Sequence, residues 1–90
     1  MKVTVTDAHN VANDIPARNG RKQLLMRNTG ANPVYYAWES TITASGAAQG
    51  IPLNAGEFIA FAGKDLDLNS SLKLVCAAGQ STTVNYTEKA

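Results

Sequence analysis

Cysteine is almost missing from this chain. Cys76 is the only one in 90 residues, so no intrachain disulfide can form. It lies in the apolar run LKLVCAAG, where a free thiol behaves as a small buried hydrophobe. Histidine is as scarce: His9 stands alone, and any catalytic triad would have to recruit it. Charge is also low, at 17% of residues against the usual quarter. Eight Lys plus Arg against seven Asp plus Glu leave a net charge of +1. That balance has no basic excess to neutralise phosphates, so nucleic acid is excluded as a leading partner. No apolar stretch approaches the ~20 residues that span a bilayer, so no membrane is expected. The opening MKVTVTDAHN lacks the apolar core of a signal peptide. The expectation is a chain made in a cytoplasm.

What is abundant is alternation with a period of two. Val3 and Val5 alternate with Lys2, Thr4 and Thr6. Val34, Tyr36 and Trp38 alternate with Tyr35, Ala37 and Glu39, and Leu72, Leu74 and Cys76 with Ser71, Lys73 and Val75. Val84 and Tyr86 do the same near the C-terminus. This is the pattern of strands with one buried face. The segments Gln23 to Met26 and Phe58 to Phe61 are continuous apolar runs instead. They fit strands apolar on both faces, as in a sandwich core or at a contact between subunits.

Turn signals separate the runs: Asn19-Gly20, Asn28 to Pro33, Ser45-Gly46, Asn54 to Gly56, Gly63 to Asp65 and Ala78 to Gln80. Their spacing predicts an all-β fold, a small antiparallel sandwich or barrel of jelly-roll type. About six to eight short strands and little or no helix are expected. One domain covers 1–90. Residues 1–19 hold an N-terminal strand and an irregular segment, and 40–50 form a mobile loop with a marginal strand at Thr41 to Thr43. A domain this small has little stability in reserve, and oligomerisation would relieve that.

Catalytic constellations are missing. There is no Gly-x-Ser-x-Gly elbow, no phosphate-binding glycine loop, and no local spacing that singles out a carboxylate pair. Asp65-Leu-Asp67-Leu-Asn69 opens like a calcium loop, but Ser70 and Cys76 occupy the positions that need Gly and Glu. No catalytic residue, metal or cofactor is expected. The aromatics remain. Alternation places Tyr36 and Trp38 in the core with Val34, and Tyr35 outside, as a surface residue or an interface anchor.

Three segments taken together are familiar. Arg21-Lys22-Gln-Leu24-Leu-Met-Arg27-Asn28-Thr-Gly30 reads R-K-x-L-x-x-x-N-x-G and runs into Asn32-Pro33-Val34-Tyr35. Ile51 to Glu57 reads I-x-L-x-x-G-E, and Ala78 to Val84 reads A-G-Q-x-T-x-V. Over residues 18 to 88 the chain resembles small structural proteins of tailed-bacteriophage virions. The resemblance implies a β-sandwich or barrel without enzymatic activity, made in the host cytoplasm and attached to the virion. The leading role is capsid decoration, binding the major coat protein and stabilising the head; a tail or head accessory is the other placement. It also implies symmetric assembly, a trimer above all. The residues expected at an interface are Arg21, Arg27, Asn28, Asn32, Pro33 and Tyr35. The alternative reading is a carbohydrate- or receptor-binding module that uses the aromatics.

Overall fold

The computed structural model describes residues 1–8, 13–18, 20–38, 42, 49–63, 66 and 70–89. Among them the chain forms seven strands and no α-helix: β1 (Lys2–Val5), β2 (Gln23–Asn28), β3 (Val34–Ala37), β4 (Ile51–Leu53), β5 (Phe58–Ala62), β6 (Lys73–Val75) and β7 (Thr82–Lys89). Two sheets result, one ordered β1-β7-β2-β5 and the other β4-β3-β6. Every pairing is antiparallel. The all-β expectation holds. His9, Glu39, most of the 40–50 loop with its marginal strand, and the acidic run at Asp65, Asp67 and Asn69 lie outside the described residues.

The core fills the space between the sheets. Val5, Leu24, Met26 and Val84 come from the larger sheet, and Val34, Tyr36, Leu53 and Leu74 from the smaller. Successive side chains of a strand point to opposite faces, so each strand contributes every second residue. Truncating a fully buried leucine such as Leu24 to alanine costs about 2–5 kcal/mol. The radius of gyration, 12.0 Å, is what a close-packed chain of this length has.

Two burial patterns do not follow from alternation alone. The continuous runs in β2 and β5 are buried by this chain on one face only. Leu24, Met26 and Phe61 point inward, while Leu25 and Phe58 are 40% and 62% exposed. Both strands lie in one sheet, with Leu25 opposite Ala60 and Arg27 opposite Phe58, so their outward residues share an outer surface. In β6 the reverse occurs. Val75 is buried as fully as Leu74, although the two point to opposite faces of the strand. Val75 pairs with Tyr35, which is half-buried rather than fully outside.

The link from β4 to β5 carries the chain from one sheet to the other. Gly56 has φ of 83°, a left-handed conformation in which a side chain would be strained. Glu57 closes the turn: its N–H donates to the Asn54 carbonyl at 3.0 Å, and its Oε1 accepts from the Asn54 N–H at 2.6 Å.

Candidate functional site

Asn28 ends β2 with its side chain fully enclosed. Its Nδ2 donates to the carbonyls of Asn32 at 2.8 Å and Leu53 at 2.9 Å. Its Oδ1 accepts from the Gly30 N–H at 3.2 Å and the Thr82 hydroxyl at 2.8 Å. The full bonding capacity of the amide is used. Its backbone N–H donates to Glu57 O, and its carbonyl accepts from Gly56 N–H at 2.7 Å. The Thr29 and Gly30 N–H groups both donate to Thr83 O. Segments 21–30, 51–57 and 78–84, which carry the three sequence motifs, therefore meet around one amide. Gly30 sits so close to β7 that a Cβ there would lie 2.0 Å from Thr82 Oγ1 and 2.7 Å from Thr83 N. The motif residues build the scaffold.

Arg21 precedes the other end of β2. Its Nη1 donates to Glu88 Oε2 at 3.3 Å and to the Pro16 carbonyl at 3.0 Å, and its guanidinium lies 5.6 Å from the Trp38 ring centroid. Both charged side chains are enclosed. The aromatic ring of Phe61 packs edge-to-face with Trp38 at 5.4 Å and with Tyr36 at 5.9 Å. Tyr36 belongs to the core as expected, and Trp38 is packed against its margin.

The residues expected at an interface do not form one patch. Arg21 and Asn28 are enclosed within the chain, so neither side chain is open to a partner in this fold; both serve the scaffold. Asn32 is half-buried and ties the turn to β7 through a 2.9 Å bond from Nδ2 to the Ser81 carbonyl. Pro33 is half-buried at the entry to β3. Arg27 is exposed on the outer face of the four-stranded sheet. Tyr35 points away from the core on the three-stranded sheet, on the opposite side of the sandwich.

Two surface features take their place. On the outer face of the larger sheet, the Arg27 guanidinium lies 5.5 Å from the ring centroid of exposed Phe58. A shallow cleft of about 270 Å³ adjoins it, lined by Met1, Leu25, Arg27, Asn85, Tyr86 and Thr87. Between β4 and β5 a wider cleft of about 470 Å³ is lined by Tyr36, Ala37, Trp38, Ile51, Ile59, Ala60 and Phe61. The lining is apolar. The signal for the first was the unbroken apolar character of β2 and β5, which a single core can satisfy on only one face of each strand; the second opens on the inward residues Ile59 and Phe61, where the two sheets part.

The described carboxylates are individually engaged. Asp7 accepts from Gly79 N–H at 2.9 Å, Asp14 from Leu74 N–H at 3.4 Å, Glu57 from Asn54 N–H, and Glu88 from Arg21. Burial pushes the Cys76 thiol pKa up, with nearby Asp7 adding to the rise and a backbone hydrogen bond at Thr82 opposing it. Burial likewise raises Tyr36, helped by the charge of Glu57. Among the described residues no group of three or more His, Cys, Asp and Glu is placed to hold a metal. No described helix is long and apolar enough to cross a membrane. No protein-family model matches the chain, and neither does any curated protein or solved structure.

Proposed function

We propose that this chain is a non-enzymatic assembly protein of a phage virion, a capsid decoration subunit that docks on coat protein through the outer face of its four-stranded sheet. The observation that carries the docking is the cluster of Leu25, Arg27 and Phe58 on that face. A large aromatic beside an arginine, partly stacked and open to solvent, is the composition of an interface anchor. Of the two settings that suit β strands apolar on both faces, a contact between subunits is compatible with an outward Leu25 and Phe58. The virion setting rests on the resemblance of the three motifs to phage structural proteins. Repetition around a shell would let a weak contact of this size hold by avidity.

The 470 Å³ cleft favours a second reading, a receptor-binding module at the tail or head. Sugar recognition needs an open ring face with convergent polar groups. Trp38 instead has Arg21 near its ring and Phe61 packed edge-to-face with it, so an apolar occupant suits the cleft better than a glycan.

Quantitative mass spectrometry of purified particles tests the proposal through the copy number relative to coat protein. Copies in the hundreds are expected for decoration of a shell with many repeated sites. A dozen or so would move the chain to a tail or vertex, and absence would end the virion reading. Phe58→Glu is expected to abolish particle binding while leaving stability within about 0.5 kcal/mol, as befits an exposed site. Unchanged binding by a folded variant would remove the outer face from the proposal.

A further inference from the structure

The two sheets have four outer edges, and three are guarded. Strand pairing beyond a sheet is normally blocked by proline, by charge, or by covering the edge. On β6 the outward-facing positions are covered: Leu72 exchanges backbone bonds with Ile15 at 2.8 and 3.0 Å, and Leu74 N–H donates to Asp14. On β4 the residue facing outward is Pro52, which pairs with Tyr35 across a non-hydrogen-bonded position and has no N–H to offer. On β1 the free positions are Lys2 and Thr4, because Val3 and Val5 face β7. Lysine is an ordinary guard of such an edge.

Among the described residues the edge of β5 has none of these. The bond from Asn28 N–H to Glu57 O sets the alternation: Ile59 and Phe61 turn their backbone groups toward β2, and Phe58, Ala60 and Ala62 turn theirs away. Among the described residues nothing pairs with those three. All three are exposed. Phe-Ile-Ala-Phe-Ala contains no charge, no proline and no polar side chain. A strand that added here would meet apolar side chains on both faces, so it must itself be uncharged and apolar on both faces. Among the described strands, β5 alone is apolar throughout, free of proline and open along one edge.

We propose that the free edge of β5 pairs with β5 of a second copy, antiparallel, about a two-fold axis at Ala60. This register sets Ala60 against Ala60 and Phe58 against Ala62 of the other copy, so that each facing pair exchanges both backbone bonds. On the outer face each bulky Phe58 then lies over a small Ala62, which is the complementarity that an isologous contact requires. The apolar cleft lined by Trp38, Ile51 and Ile59 opens beside the same edge, with Ile51 58% exposed. It extends the contact beyond the strand itself. The two larger sheets join into a continuous one with β5 at its centre. This contact does not depend on a virion setting, and a trimer would require a different, head-to-tail surface.

Sedimentation equilibrium of the whole chain, up to about 1 mM, tests the pairing. Wild type is expected at twice the 9.5 kDa monomer mass. Ala60→Lys places like charges directly opposite each other across the axis and is expected to weaken the dimer at least about tenfold, with an unchanged circular dichroism spectrum. Ala60→Pro removes an N–H that has no ladder partner in the monomer, so it is expected to leave the fold intact and abolish pairing. Ala60→Cys reads the register: mild oxidation should give a covalent dimer, whereas Thr4→Cys on the β1 edge should not. A wild type that is monomeric or trimeric throughout overturns the proposal, whatever else binds the edge. So does a dimer that is indifferent to folded Ala60→Lys and Ala60→Pro variants, or one that Ala60→Cys fails to link.

Discussion

The two ends of β2 are both closed by buried polar groups, and they are built in opposite ways. At the C-terminal end a neutral amide, Asn28, uses every donor and acceptor it has, on groups from three separate chain segments. At the other end Arg21 and Glu88 bury two charges against each other, with the Pro16 carbonyl and the Trp38 ring in support. A saturated neutral amide gains from low dielectric, since its bonds strengthen while nothing is left unpaired. A buried ion pair must first repay the removal of both charges from water, and its net contribution can be close to nothing. The amide should therefore be hard to replace, and the ion pair easy to replace provided both members go together.

Asn28→Ala should show the largest effect, a loss of about 3–4 kcal/mol in denaturant unfolding, because it orphans the Thr82 hydroxyl and removes the amide donors to the Asn32 and Leu53 carbonyls at a fully buried site. Asn28→Asp tests whether shape alone matters. It preserves the outline and turns both donors into acceptors facing carbonyls, so it should be as damaging at neutral pH. A stable Asn28→Asp would break the comparison at this end.

Arg21→Ala should cost about 3 kcal/mol by leaving Glu88 buried without its counterion. The double replacement Arg21→Met with Glu88→Leu should return to within about 1 kcal/mol of wild type, since neither charge then needs desolvating. Failure of that rescue would show that the pair is more than an exchangeable plug. Gly30→Ala comes next, at about 2 kcal/mol. Adding Thr82→Ala should relieve only part of this, because the backbone nitrogen of Thr83 also stands 2.7 Å from the new methyl.

The smallest effect concerns the buried groups that are neutral only while protonated. Cys76 and Tyr36 both have pKa values raised in the fold by burial. The unfolded chain ionises first, near the ordinary values of 9.0 and 10.0. Stability should therefore be flat with respect to these groups below pH 9.0, then fall as pH rises through the folded values. Cys76→Ala should remove the earlier part of that decline and leave the part due to Tyr36. Thermal melts between neutral and alkaline pH would show it, and a decline that starts at the same pH in the variant would assign it elsewhere.

Much of the architecture was legible because strands advertise themselves by period. Val34 with Tyr36, Leu72 with Leu74, and Val3 with Val5 were placed on faces by alternation alone. The elements from Gln23 to Met26 and from Phe58 to Phe61 were recognisable as strands, yet their surroundings were not. An unbroken apolar run looks the same whether its second face meets this chain's core, another subunit or water. Arg21 and Asn28 misled for a related reason. A polar residue beside a turn is normally solvated, and what encloses these two is a set of residues far along the chain, Glu88 for one and Leu53 and Thr82 for the other.

The sequence by itself therefore determined the fold class, the positions of the described strands other than β4 and the inward set of most of them, because these follow from local periodicity and backbone chemistry. Only the tertiary structure decided that the three motifs converge on one amide, that an arginine and a glutamate are enclosed, that Leu25 and Phe58 are exposed, and that no described residue pairs with the β5 edge. Those outcomes depend on which strands lie side by side, and in an antiparallel sandwich that is settled by contacts between residues too distant in sequence for any local pattern to encode.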